Sequence, residues 1–141
     1  MRRYLLVANQ TLGGEPLREK VRQCMAQGPS RFHIVVPATP SQEHLTWTEG
    51  DAIAIAQGRL DRALVGFGEL GAEVTGEVGD GNPLLAVDDA VREGEFHEII
   101  LSTLPPGASR WLKLDLPSRL ARHVDIPITH VVVHPEGASA E

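Results

Sequence analysis

The stretch that decides the fold is residues 98–134, which reads EIILST, LPPGASRWLKLD, LPSRLARHVDIP and ITHVVVH. Its apolar runs at 99–101 and 131–133 have the composition of buried strands, and a Pro/Gly turn with an amphipathic segment separates them. A strand, a crossover and a second strand form a βαβ unit, which requires a parallel sheet. Ligands of such sheets lie outside the carboxyl ends of the strands. The loop at 104–110 follows one of these ends, so it is the first candidate site.

The whole chain has the composition of one globular domain over residues 1–141. It is 42% hydrophobic and 23% charged, which excludes a disordered chain. The net charge of −6 disfavours nucleic acid and anionic membranes as partners. A lone cysteine, Cys24, indicates a reducing compartment, and the sequence has no apolar run of the ~20 residues that a membrane helix needs. We expect a cytoplasmic protein.

Strand-like and helix-like patterns alternate along the chain. Helical periodicity and Pro/Gly punctuation separate five apolar runs, at residues 4–8, 32–36, 72–78, 98–102 and 128–133. Because every connection is long enough to be a crossover, the sequence predicts an α/β fold. The expected architecture is an open five-stranded parallel sheet with helices on both faces.

The segments that bound these strands resemble those of a known family. NQT follows the first strand at 9–11, HIVVP ends the second strand at 33–37, GNP opens the third helix at 81–83, and RHVDIPI runs into the last strand at 122–128. In this order they resemble the universal stress protein family, which has an adenine-nucleotide α-hydrolase-like fold. The resemblance implies strand order 3-2-1-4-5 and a stress or regulatory protein that binds a small ligand without catalysis.

The loop after the fourth strand departs from the family pattern. Members that bind ATP carry a Gly-x-x-Gly motif there, followed further on by Gly-Ser/Thr, whereas this chain has STLP at 102–105. Pro105 and Pro106 have no N–H to donate to a phosphate, and Asp115 adds a negative charge. The chain is therefore interpreted as a divergent member with a degraded ATP-binding glycine motif. A single phosphate or carboxylate suits residues 107–110 better than a magnesium-triphosphate.

The predicted ligand site combines the ends of three strands. Adenine would contact the end of the second strand, and phosphate would face residues 107–110. The candidate ligand-binding residues are Ala8, Asn9, Gln10, Thr11, Val35, Val36, Pro37, Ser102, Thr103, Gly107, Ala108, Ser109 and Arg110. The cofactor is left unknown, with ATP and AMP as the candidates that the resemblance suggests. A rigid turn in which Ser109 caps a short helix and Arg110 faces solvent is the alternative for the loop.

The last strand suggests a second kind of site. Its apolar edge should not stay open in a monomer, so we expect a homodimer paired through this strand. The candidate interface residues are Ile128, His130, Val131 and Val133. A dimeric interaction module without a nucleotide is therefore the alternative function.

We expect no metal site, because the histidines are scattered, and no catalytic residues, because Ser102 and Thr103 have no His or Asp partner in the sequence. Trp111 is expected to pack under the loop, and Trp47 either anchors the core or covers the pocket.

Overall fold

The structure is a computed structural model, and it describes residues 1–39 and 49–134. The prediction for Trp47 and the prediction of a frayed tail from Pro135 onward lie outside these residues. Strands and helices alternate along the described chain. The strands are β1 (Arg2–Val7), β2 (Ser30–Pro37), β3 (Val74–Gly79), β4 (Glu98–Thr103) and β5 (Ile128–Val132). The helices are α1 (Glu15–Ala26), α2 (Glu49–Glu69), α3 (Pro83–Glu93), α4 (Arg110–Lys113) and α5 (Leu116–His123).

All of the strand pairs are parallel, and the strand order is β3-β2-β1-β4-β5. The predicted fold class and order are confirmed. The central strand, β1, is paired on both sides, with Leu6 opposite Ile34 of β2 and Ile100 of β4. The direction of the connections reverses between β1 and β4, which makes their carboxyl ends the topological switch point of the sheet.

The sheet is covered on both faces because the middle of its central strands is apolar and buried at successive positions, over residues 4–7, 34–36 and 99–101. Leu6 and Ile34 belong to the core under α1 and α2, together with Leu17 and Phe67 from those helices. The neighbouring residues of the same strands point to the opposite face, where they pack with α3, α4 and α5. Trp111 of α4 is buried in this second core, so the expected packing beneath the loop is confirmed.

The crossover from β4 to β5 contains two short helices. Asp115 has φ of 55° between them, and this left-handed conformation interrupts the helical hydrogen bonding between α4 and α5. Pro117 then lies in the first turn of α5, where a backbone N–H would have no hydrogen-bond partner within the helix. The short α4 keeps the loop after β4 close to the carboxyl edge of the sheet.

Candidate functional site

Asn9 holds the end of β1 against the end of β2. Its Nδ2 donates to the carbonyl oxygen of Pro37 over 2.8 Å, and its Oδ1 accepts a hydrogen bond from Nη1 of Arg59 on α2. The amide of Ala8 also donates to the carbonyl oxygen of Val35. Both polar ends of the Asn9 carboxamide are therefore engaged within the chain.

Thr11 and Ser102 meet across the switch point. Their hydroxyl oxygens lie 2.7 Å apart, and both side chains are buried. This hydrogen bond joins the loop after β1 to the carboxyl end of β4, two segments that the parallel sheet predicts to be close together. It also occupies both hydroxyl groups, because each side chain is enclosed by protein.

Thr103 points to the other face of the sheet, where it contacts His130. Its hydroxyl donates to the carbonyl oxygen of Leu104, and its oxygen lies 2.8 Å from Nε2 of His130. The imidazole therefore carries a proton on Nε2 and donates it to Thr103. Partial desolvation of the imidazole at its contact with Thr103 lowers the pKa of His130, which favours this neutral form. The sequence did not predict this pair, because a 27-residue separation conceals it.

The loop after β4 is folded on itself. The amides of Ala108 and Ser109 both donate to the carbonyl oxygen of Pro105, at 3.0 and 3.1 Å. The Ser109 hydroxyl accepts from the amide of Leu112, so it caps α4. Gly107, at φ of 92°, and Arg110 are exposed. The loop thus has the features of the rigid-turn alternative, and two amides that we expected to face a phosphate are used internally.

The four residues predicted at a dimer interface have different environments. β5 is an edge strand that pairs with β4 in this chain. Ile128 and Val131 are half-buried, and His130 is exposed. Val133 is buried in the core, and a Cβ added to Gly14 would lie 2.2 Å from its Cγ1. The side chain of Val133 is therefore engaged inside the chain, while none of the described strands pairs with the outer edge of β5.

A cavity lies between α1, α2 and the turn after β1, and two of the predicted ligand-binding residues, Asn9 and Gln10, line it. The sequence analysis did not predict the helix residues that complete its lining. The volume of the cavity is about 270 Å³, and Arg18, Arg59 and Arg62 contribute guanidinium groups to its lining. We call it the α1–α2 pocket. Burial, and to a lesser degree the charge of Arg62, lower the pKa of Arg59. Arg59 still carries its positive charge at neutral pH, but its surroundings make that charge less stable than it would be in water.

The sequence held a partial signal for this pocket. Arg59 and Arg62 are three residues apart on a helix, so they share a face with Ala63 and Phe67. Arg18 comes from a different helix, and only the packing of α1 beside α2 brings it to the same cavity. Because the net charge of the chain is −6, composition gave no indication of a local basic cluster.

Two further features bear on the class of site. Within residues 1–39 and 49–134, no group of three His, Cys, Asp or Glu side chains could hold a metal ion. None of the helices in the described residues is both long enough and apolar enough to cross a membrane.

Comparison with known proteins extends the fold assignment. No protein-family model and no curated protein matches the chain. A solved structure of a universal stress protein from Archaeoglobus fulgidus superposes with a TM-score of 0.64 at 14% sequence identity, and the match covers 93% of each chain. The chain has the universal stress protein fold. The fold that the four sequence segments implied is confirmed, and at this identity the universal stress protein likeness concerns the fold alone.

Proposed function

We propose that the protein is a small-ligand-binding regulator of the universal stress type, acting in the cytoplasm and without catalysis. The observation that carries the proposal is the contact between Thr11 and Ser102, which joins the loop after β1 to the carboxyl end of β4 at 2.7 Å. Open parallel sheets bind ligands above such a switch point. The exposed loop beyond β4 forms the rim that a ligand would contact, and the bond between Thr11 and Ser102 lies beneath it.

The proposed ligand carries one phosphate and is an adenine nucleotide in the finer version of the hypothesis. Its base would lie against the end of β2, at residues 35–37, and its phosphate would face Gly107 and Arg110. Arg110 is exposed at the start of α4 and offers a planar donor pair that suits phosphate. Because the amides of Ala108 and Ser109 are engaged, few backbone donors are left for a triphosphate. AMP should therefore bind at least as tightly as ATP.

A non-catalytic role agrees with the environment of the strand-end hydroxyls. Ser102 and Thr103 point to opposite faces of the sheet, and His130 contacts Thr103. Thr103 is only 2% exposed and donates its proton to Leu104, so a substrate could not reach it as a nucleophile.

The nucleotide hypothesis is tested by the unfolding temperature of the protein with AMP, ADP and ATP, together with analysis of the purified protein for retained nucleotide. We expect AMP to raise the unfolding temperature and Arg110→Gln to reduce that increase. The matched control is Arg119→Gln, which removes an exposed arginine of α5. Absence of both a retained nucleotide and any shift would remove the nucleotide from the proposal.

The dimeric interaction module is the second candidate, and the open edge of β5 favours it. The amide of Val133 donates to Thr103 of β4, so the amide of Val132 points away from the sheet because adjacent strand residues alternate. Val132→Pro should therefore weaken edge pairing without removing a hydrogen bond to β4. Sedimentation equilibrium should give twice the subunit mass for the native protein and a lower mass for the variant. A single-subunit mass for the native protein at micromolar concentration would exclude this candidate.

A further inference from the structure

The α1–α2 pocket brings three arginine side chains together in one cavity, which the switch-point crevice does not. Arg59, Arg62, Ala63 and Phe67 follow helical spacing on α2 and line the pocket on one side. Arg18 of α1 approaches from the other side and extends over Gly66, where an added Cβ would lie 3.3 Å from its Nη1. Two helices thus bring guanidinium groups to the lining of one partly open cavity, and the turn after β1 completes that lining.

Among the described residues, carboxylates compensate little of the positive charge of this pocket. The ion pairs among the described residues do not include Arg59 or Arg62. Arg18 lies 3.8 Å from Glu15, whose side chain is 61% exposed and makes a shorter contact with Arg22 at 2.7 Å. None of the described residues that line the pocket is acidic. A chain of net charge −6 therefore contains a local excess of positive charge.

The inner wall of the pocket is apolar. Leu12, Ala63 and Phe67 line it and are buried in the core under α1 and α2. The volume of about 270 Å³ lies just below the range of about 300–1,000 Å³ for small-molecule sites, so only a small ligand fits. A ligand that matches these surfaces has a charged end for the arginines and a small apolar end for the wall.

We propose that the α1–α2 pocket is a binding site for a phosphomonoester attached to a small apolar body. A guanidinium group binds phosphate oxygens through two parallel hydrogen bonds, and several such groups match a dianion better than a monocarboxylate. Burial of Arg59 strengthens its interaction with an anion because local screening by water is reduced. Asn9 contributes by holding Arg59 at the mouth of the pocket through its Oδ1.

This site goes beyond the switch-point function and can be tested separately from it. The pocket uses side chains of α1 and α2, whereas the nucleotide hypothesis depends on Arg110 and the loop after β4. The test probe is phenyl phosphate, titrated by calorimetry into the full chain in buffer without phosphate or sulfate. Inorganic phosphate and benzyl alcohol serve as probes of the charged and apolar parts alone.

The pocket variants are Arg59→Gln and Arg62→Gln, and the matched controls are Arg119→Gln and Arg122→Gln, which remove the same charge from exposed positions of α5. We expect each pocket variant to bind phenyl phosphate about tenfold more weakly or worse, with both controls within about twofold of the native protein. Arg62 is exposed, so its replacement should leave the fold intact even if Arg59→Gln does not fold.

Several outcomes would overturn the proposal. These are no binding of phenyl phosphate to the native protein, native-like binding by the pocket variants, and equal weakening in the controls. Benzyl alcohol binding as tightly as phenyl phosphate would exclude recognition of the anion. Inorganic phosphate binding as tightly as phenyl phosphate would exclude the apolar body. Weaker binding of phenyl phosphate by Arg110→Gln, with native binding by the pocket variants, would place the probe at the loop after β4. That result would overturn the pocket proposal and leave the nucleotide proposal standing, so the two failures are distinguishable.

Discussion

The switch-point crevice and the α1–α2 pocket lie on either side of the turn after β1, but they differ in how their polar groups are satisfied. In the crevice, Thr11 bonds Ser102 and Thr103 bonds His130. In the pocket, Arg62 has no carboxylate partner among the described residues. A polar side chain that already has a hydrogen-bond partner must give up that partner to bind a ligand. A charge without a counter-charge is instead stabilised when a ligand of opposite charge binds. The pocket is therefore better prepared for an anion than the crevice.

The largest expected effect comes from the turn that both regions share. Gly14→Ala would place a Cβ 2.2 Å from Cγ1 of Val133, a buried and branched side chain. Because the core cannot accommodate the added methyl group without moving β5 or the turn, we expect the free energy of unfolding to fall by about 2–3 kcal/mol. Chemical denaturation measures this loss directly.

The adjacent glycine provides the control for that substitution. Gly13 is exposed, and a Cβ added there meets no atom within 4 Å. Gly13→Ala should therefore change the free energy of unfolding by no more than about 0.5 kcal/mol. Equal losses in the two variants would show that the turn is sensitive to any alanine, and the close packing of Gly14 against Val133 would then not be the cause.

The hydroxyl pair in the crevice should have the next largest effect. Thr11→Val keeps the shape of the side chain but leaves the hydroxyl of Ser102, which is 1% exposed, without its partner. We expect a loss of about 1–2 kcal/mol, which is the cost of a buried polar group without a hydrogen bond. Thermal or chemical denaturation of the single variant measures it.

A double-mutant cycle separates this hydrogen bond from packing. Thr11→Val combined with Ser102→Ala removes both polar groups, so the double variant should be more stable than the sum of the two single losses predicts. Strict additivity would contradict the pairing and would imply that each hydroxyl can reach water. The crevice would then be more open than the bond between these side chains suggests.

The contrast between the two regions also explains what could be predicted from the sequence. Hydrophobic periodicity and the family resemblance predict the strand order and the proximity of the loop after β1 to the end of β4. Both of these features are properties of the backbone. The bond of Thr11 to Ser102 and the approach of Arg18 to Arg59 depend on side-chain packing between segments distant in sequence. Such contacts leave no local pattern, so the sequence located the carboxyl edge but missed the arginine cluster.

The smallest effect tests whether the pocket carries uncompensated charge. Arg62→Gln removes the charge that lowers the pKa of Arg59 and leaves a residue of similar helix propensity, so the free energy of unfolding should rise by about 0.3 kcal/mol at low salt. The gain should disappear at high salt, where the repulsion is screened. Arg92→Gln is the control with the opposite sign, because Arg92 pairs with Asp88 at 2.8 Å and its loss should destabilise the protein by a similar amount. Denaturation midpoints at two salt concentrations resolve the difference, and destabilisation by Arg62→Gln would mean that its charge is already compensated.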